Sequence, residues 1–509
     1  QAGAPSRKRM NQNLYALFES RFPADREQPL LILDDGAELS YREADEGASR
    51  FAALFTSLGL VSGDRVAVQV EKSPEALLLY LGCLKAGLAY VPLNSAYQEG
   101  EVYYFLDNAE PRAVVAQPSS VDWLAPLAAR LKIRNVFSLD TIGHGTLMAA
   151  VTAAPTRFAT AECGGDELAT ILYTSGTTGR SKGAMLTHRN LSSNAVVLHR
   201  EWGFGPNDML IHMLPLFHVH GLFVACHCVL MNGSAMRFHN RFDAKRAIAE
   251  FAESTVFMGV PTFYTRLLEE PSLTSAAAAG MRLFVCGSAP LLAETHVEFE
   301  RRTGHRILER YGMTETGMLT SNPLQGERRA GSVGTALPGT EVRIVDDDGR
   351  ECTQGDIGHV LVRGDNVFQG YWRMPERNLE EFTDGWFRTG DMGTLSSDGY
   401  LTIAGRSKDL IITGGYNVYP KEIELALDEL PGVHESAVVG VPHPDFGEAV
   451  TAVIVPAAGA SPTEAEVIAA LKRKLANFKV PKRVYVEEAL PRNAMGKVQK
   501  NVLRDRYKP

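Results

Sequence analysis

A chain of 509 residues is too long for one hydrophobic core, because single cores stop growing near about 250–300 residues, so at least two domains are expected. A composition of 45% hydrophobic and 22% charged residues excludes a mainly disordered or collagen-like chain. A formal net charge of −8 offers no bulk attraction to nucleic acid or to an anionic membrane, so neither is expected as a partner.

The first third alternates strand and helix. Residues 65–70 read as a strand, 74–84 as a helix opened by proline, 88–91 as a continuous apolar strand, 101–108 as a helix and 113–116 as a strand. Strands follow at 169–173, 256–260 and 283–286. Repeated β–α–β units with continuous apolar strands predict parallel sheets covered by helices. After about residue 330, short strands at 342–345, 359–362 and 399–403 stand between turn signals and predict a strand-rich subdomain. Beyond Arg406 the alternation returns: helix 421–429, strands 436–441 and 449–455, helix 464–476 and strand 484–486. The expected class is α/β: a large domain over 10–405 made of parallel-sheet subdomains plus the strand-rich one, a hinge at 406–409, and a small mobile α+β domain over 410–509. Residues 1–9 read as a non-native remnant or disordered lead, with Met10 as a natural start.

The six cysteines form no disulfide framework: Cys83, Cys226 and Cys286 lie in apolar contexts, Cys163 and Cys352 in polar loops. A reducing, cytoplasmic location is the expectation. No uncharged apolar run reaches the roughly 18 residues of a membrane span, and the N-terminus has no signal-peptide core.

The most informative segment is Tyr173-Thr174-Ser175-Gly176-Thr177-Thr178-Gly179-Arg180-Ser181-Lys182-Gly183. Its glycines let the backbone turn and present N–H groups to an anion, its hydroxyls add donors, and Arg180 and Lys182 add charge. A flexible Ser/Thr/Gly linker is the plain alternative. Against it stand a buried strand before the loop, a helix starting near Thr187, and two cations inside. The spacing is not that of a Walker A loop, so a nucleotide-phosphate loop of another type is the better reading.

That loop resembles the phosphate loop of the AMP-forming adenylating enzymes, which include acyl-CoA synthetases, luciferases and peptide-synthetase adenylation domains. Further segments are similar to that family's motifs, in its order: Gly287-Ser288-Ala289-Pro290-Leu291, Tyr311-Gly312-Met313-Thr314-Glu315-Thr316, Trp386-Phe387-Arg388-Thr389-Gly390-Asp391, Gly405-Arg406-Ser407-Lys408-Asp409 with Gly414-Gly415-Tyr416-Asn417, and Pro491-Arg492-Asn493-Ala494-Met495-Gly496-Lys497. The resemblance covers nearly all of residues 14–505. It implies a ligase that attacks the α-phosphate of ATP with a carboxylate, releases pyrophosphate and passes the acyl group from acyl-AMP to coenzyme A.

The resemblance also implies roles. Two anions must meet, so cations and oriented N–H groups have to offset their repulsion. Residues Thr174 to Gly179 with Ser181 and Lys182 would hold the phosphates. Gly287, Ser288, Ala289, Tyr311, Gly312 and Met313 would hold the adenine side, Asp391 and Arg406 the ribose, and Gly415 the site after rotation. Thr314 would donate to the α-phosphate, and Glu315 with Thr174 would bind Mg²⁺. Lys497 would bridge carboxylate and α-phosphate, and Lys408 would be the hinge. A lysine acetyltransferase and deacetylase acting on Lys497 are the implied regulatory partners. Local readings remain beside these: Thr314-Glu315 starting a helix, Asp391 as a turn residue, Lys497 as a solvated terminal lysine.

The segment His212-Met-Leu-Pro-Leu-Phe-His218-Val-His220-Gly221 with Cys226, His227 and Cys228 has no closed zinc spacing. It reads as an apolar wall, and by resemblance His218 gates the acyl pocket together with Ser288 and Met313. A dicarboxylic acid would need a partner for its second carboxylate. Among Arg237, Arg241 and Arg282, Arg241 is the candidate, with a surface turn as its alternative. The chain most resembles bacterial malonyl-CoA and methylmalonyl-CoA synthetases, so a small dicarboxylate is the expected substrate. Short- or medium-chain acids, aryl acids, or a carrier-protein acceptor are the alternatives.

Overall fold

A computed structural model describes residues 11–174, 181–413, 416–475, 477–493 and 496–509. The reading of 1–9 as a lead falls outside these, as do the expectations for Ser175, Gly176, Thr177, Thr178, Gly179, Arg180, Gly414 and Gly415.

The large domain is built on two sheets. In the first, five strands run parallel in the order Asn135–Ser138, Ala113–Ala116, Arg65–Gln69, Ala89–Pro92 and Leu168–Thr174, and Lys182–Thr187 closes the edge as an antiparallel hairpin partner. The second has nine strands. Its centre is parallel, in the order Leu308–Met313, Leu283–Cys286, Val256–Gly259, Met209–His212, Ala235–Phe238 and Pro29–Ile32. Strands such as AVVA at 113–116 and LFVC at 283–286 are buried at every position, as expected where helices cover both faces of a sheet. The helix Pro74–Lys85 has Ser73 as its N-cap, proline in its first turn, and a nearly wholly buried surface.

Lys182–Thr187 is a strand that the sequence reading did not separate from the following helix. That helix, His188–Glu201, starts where expected, with Thr187 and Asn190 forming a reciprocal cap. Cys163 lies in a loop, as expected, but is buried there, and burial pushes its thiol up to about 11.

The strand-rich subdomain is an antiparallel sheet of Thr340–Val345, Gly358–Gly364, Trp386–Leu395, Phe382–Thr383 and Leu401–Arg406. The smaller C-terminal domain pairs Val433–His443 with Gly447–Pro456, adds Arg483–Val486 in parallel, and packs Pro420–Asp428 and Glu464–Lys472 on the sheet. The helix at 464 ends at Lys472, a turn earlier than expected. Among the described residues no helix is long and apolar enough to cross a membrane.

Candidate active site

Part of the expected site lies where parallel strands end: Thr174, Gly287 and Met313 stand at or just after the ends of Leu168–Thr174, Leu283–Cys286 and Leu308–Met313. In open α/β sheets the crevice outside the carboxyl ends of the strands is the natural ligand site. Thr174 ends one central strand, and opposite it Lys182 begins the edge strand, as register partners. Ser181 is held through its carbonyl, which accepts a 2.7 Å hydrogen bond from the Tyr104 hydroxyl. The Lys182 ammonium sits 4.2 Å above the Tyr371 ring and 3.5 Å from the Glu381 carboxylate.

Residues 308–321 form a hairpin, so Thr314 and Glu315 do not start a helix. Leu308–Met313 runs antiparallel to Gly317–Ser321, and the Thr316 N–H donates to the Met313 carbonyl across the turn. The strands approach so closely at Gly312 that a Cβ there would lie 2.1 Å from the Gly317 carbonyl oxygen. The turn presents Thr314 and Met313, both half-buried, and Glu315, which is 5% exposed. The Tyr371 hydroxyl donates to Glu315 Oε1 at 2.7 Å. Burial raises the Glu315 carboxyl above the usual range, opposed by Tyr371 and by the charges of Arg406 and Lys182.

Asp391 and Arg406 are cross-strand partners, with Arg406 Nε 2.7 Å from Asp391 Oδ1; the Tyr311 hydroxyl donates to the other carboxylate oxygen. Lys497 comes from the far end of the chain into this group. Its loop is folded on Asn493, which accepts the Lys497 N–H on its side chain and the Gly496 N–H on its carbonyl. Gly496 has φ +75° and backs onto Thr262, at the start of helix Pro261–Glu269. Lys497 retains exposed surface, yet the cleft desolvates it and, with the repulsion of Arg406 and Lys408, pulls its ammonium down to about 8; Asp391 and Asp409 oppose the fall. Lys408 lies in a single 3₁₀ turn, Ser407–Asp409, directly after the Arg406 strand. Arg406 and Lys182 thus act on Glu315, and Arg406 and Asp391 act on Lys497, so these five charged groups form one neighbourhood.

The wall at 212–228 includes a π-helical turn, His220–Ala225, buried throughout; such turns recur at functional sites. His220 is buried and its Nδ1 lies 3.3 Å from the Ser288 hydroxyl. Ser288 has φ +75°, a strained backbone for a non-glycine residue. Burial holds His218 down to about 3, so its imidazole is neutral. His227 bonds the Tyr80 hydroxyl at 2.9 Å.

Arg241 is not in this wall. It stands exposed at a bend just beyond strand Ala235–Phe238, while its neighbour Phe242 stacks on Phe263. Arg237 is paired with Glu253, and Arg282 makes two bonds to Asp208. The buried cation at the pocket is Arg310, which sequence reasoning missed. It is 4% exposed, and its guanidinium packs against Gly287, where a Cβ would lie 2.3 Å away. Among the described residues its Nε and Nη2 have no hydrogen-bond partner, nor do Nε2 of His218 and Nε2 of His220. Burial lowers the guanidinium to about 10, and its charge depresses His220 further.

The model of the AMP-binding enzyme matches residues 18–372, and that of the AMP-binding enzyme C-terminal domain matches 422–497. The chain belongs to the AMP-binding enzyme family. ATP-bound MatB from Rhodopseudomonas palustris superposes with a TM-score of 0.96 at 53% identity, covering 98% of this chain and 99% of that one. Apo MatB, at the same identity and coverage, gives 0.86. A mitochondrial malonate–CoA ligase of Mus musculus is 38% identical over 93% of this chain and 88% of its own length. A feruloyl-CoA synthase from Amycolatopsis is 35% identical over 93% and 94%. This member of the family is an AMP-forming acyl-CoA synthetase, a ligase that uses ATP and CoA.

Proposed function

We propose that this synthetase activates a small dicarboxylic acid, malonate or methylmalonate, and that Arg310 rather than Arg241 holds the second carboxylate. The observation that carries this reading is the buried, unpartnered edge of the Arg310 guanidinium beside His220, Gly287 and Ser288. A buried cation without a counter-charge costs several kcal/mol. A planar fork of donors matches a carboxylate. The likeness to MatB and to a malonate–CoA ligase supports the same class.

In the first step one carboxylate oxygen of the acid attacks the α-phosphorus of ATP, and pyrophosphate leaves. Lys497 screens the two approaching anions, Lys182, Ser181 and Thr174 with residues 175–179 hold the phosphates, and Asp391 with Arg406 and Tyr311 fixes the ribose side. Gly287, Ser288, Ala289, Gly312 and Met313 form the adenine and acyl walls, and Thr314 donates to the α-phosphate. Glu315, a buried carboxylate, suits a hard divalent cation, with Thr174 as the second candidate oxygen ligand, and Mg²⁺ there would neutralise phosphate charge. In the second step the CoA sulfur attacks the acyl carbon, the thiol proton is lost, and AMP leaves. The small domain turns about Lys408 between the steps and brings Gly415 to the site. Acetylation of Lys497 would remove its charge and stop the first step.

The test is AMP release with ATP, Mg²⁺ and CoA across malonate, methylmalonate, acetate, octanoate and coumarate. Malonate or methylmalonate is expected to exceed the monocarboxylates by at least about 10²-fold in kcat/KM. A monocarboxylate in first place overturns the substrate and the Arg310 assignment together.

A further inference from the structure

The segment read as the acyl wall is held by a second buried cation. Lys72 lies just before Ser73, the N-cap of helix Pro74–Lys85, and is 6% exposed. Its ammonium donates to three acceptors: His212 Nδ1 at 2.7 Å, the His212 carbonyl at 3.0 Å and the Leu214 carbonyl at 2.9 Å. An ammonium has three N–H donors, so every one is used, and all three go to the segment that leads into His218 and His220. Because Nδ1 of His212 accepts, its Nε2 carries the hydrogen and donates to the Gly221 carbonyl at 2.8 Å. That carbonyl belongs to the π-helical turn that displays His220. At the same residue the wall folds tightly on itself: a Cβ on Gly221 would lie 1.9 Å from the Pro215 carbonyl oxygen.

We propose that Lys72 is a positioning residue for acid binding, acting through His212 and Gly221 to hold the His218–His220 wall against Arg310 and Ser288. In this role it acts through the wall and not on the nucleotide or the acid itself. Its role rests on the reading of this wall as the acid pocket, not on which acid is bound. Around it, His212 is kept neutral chiefly by burial, Cys226 of the next helix is a thiol pushed up to about 12, and Asp34 is engaged by His239 and Arg246. The ring of Phe238 lies 4.3 Å from the ammonium. Burial brings Lys72 down to about 7, opposed by Cys226 and Asp34. Loss of one proton leaves one of the three acceptors facing a lone pair, so the wall loosens as pH rises.

The experiment is acid-dependent ATP–pyrophosphate exchange, run with whichever acid the parent enzyme turns over best. Lys72→Met is expected to raise KM for the acid about tenfold or more, with KM for ATP unchanged. Between roughly pH 6 and 7.5, below the range in which Lys497 loses its charge, the acid KM of the parent should rise, whereas Lys72→Arg, whose guanidinium keeps its proton, should show a flat profile over that range. An acid KM within about twofold of the parent in Lys72→Met, or acid and ATP KM values rising together, overturns the proposal. So does a rise between about pH 6 and 7.5 that persists in Lys72→Arg. Should Lys72→Met not fold, the comparison of the Lys72→Arg and parent profiles decides alone.

Discussion

Arg310 concentrates the substrate question in one side chain. Arg310→Met keeps a long apolar stem and removes the charge, so a second carboxylate would be buried without a partner. We expect kcat/KM for malonate to fall by about 10²–10⁴, with butyrate used no worse than by the parent, measured as AMP release. Gly287→Ala tests the same contact from the other side. Its Cβ would lie 2.3 Å from the guanidinium and must displace it, so KM for malonate should rise about tenfold. The sequence made Arg241 the candidate because nothing local distinguishes a paired arginine from an unpaired one. Arg282 is neutralised by Asp208, 74 residues away, and Arg237 by Glu253, 16 residues away. Arg310 stands one position before a recognisable motif, on the opposite strand face from Tyr311. That Asp391, Arg406, Glu315 and Lys497 would come near one another was legible because each belongs to a motif of the family, not to a long-range pairing.

At the scale of elements, the continuous apolar strands were readable because burial on both faces leaves no polar alternation. The hairpin strand Lys182–Thr187 was not, since six residues leading into a capped helix carry no period that separates strand from approach. Nor does an apolar run such as HGLFVA at 220–225 announce a π-helical turn, which depends on how Gly221 meets Pro215. That meeting gives an element-level prediction. Gly221→Ala places a methyl 1.9 Å from a backbone oxygen, which cannot swing aside as a side chain would. Overpacking of this kind costs about 1–3 kcal/mol. The urea midpoint of the large domain should fall with unchanged slope, and KM for the acid should rise more than KM for ATP, because the displaced segment carries His220 and not the phosphate loop.

The arrangement of the whole molecule rests on Lys497. Its loop reaches from the small domain to Thr262 of the large one and delivers an ammonium beside Asp391 and Arg406. At equal identity, the TM-score against ATP-bound MatB, 0.96, exceeds that against apo MatB, 0.86. Two opposite lesions follow. Burial and the repulsion of Arg406 and Lys408 lower the Lys497 ammonium to about 8, so the charge is present below that pH and is lost as pH rises through it. Adenylate formation, followed by pyrophosphate exchange, should therefore decline above about pH 8, and Lys497→Gln should abolish it. Thioester formation from added acyl-AMP should survive in Lys497→Gln, because attack of sulfur on an acyl carbon needs no cation between two anions. Lys408→Pro should do the reverse. Proline fixes φ near about −65°, within the range of a 3₁₀ turn such as Ser407–Asp409, so the present arrangement and pyrophosphate exchange should persist. The rotation proposed for the second step would be blocked, and acyl-AMP should accumulate in the presence of CoA. If Lys408→Pro forms thioester at the parent rate, the turn at 407–409 is not the hinge, and the two half-reactions are served without rotation about it.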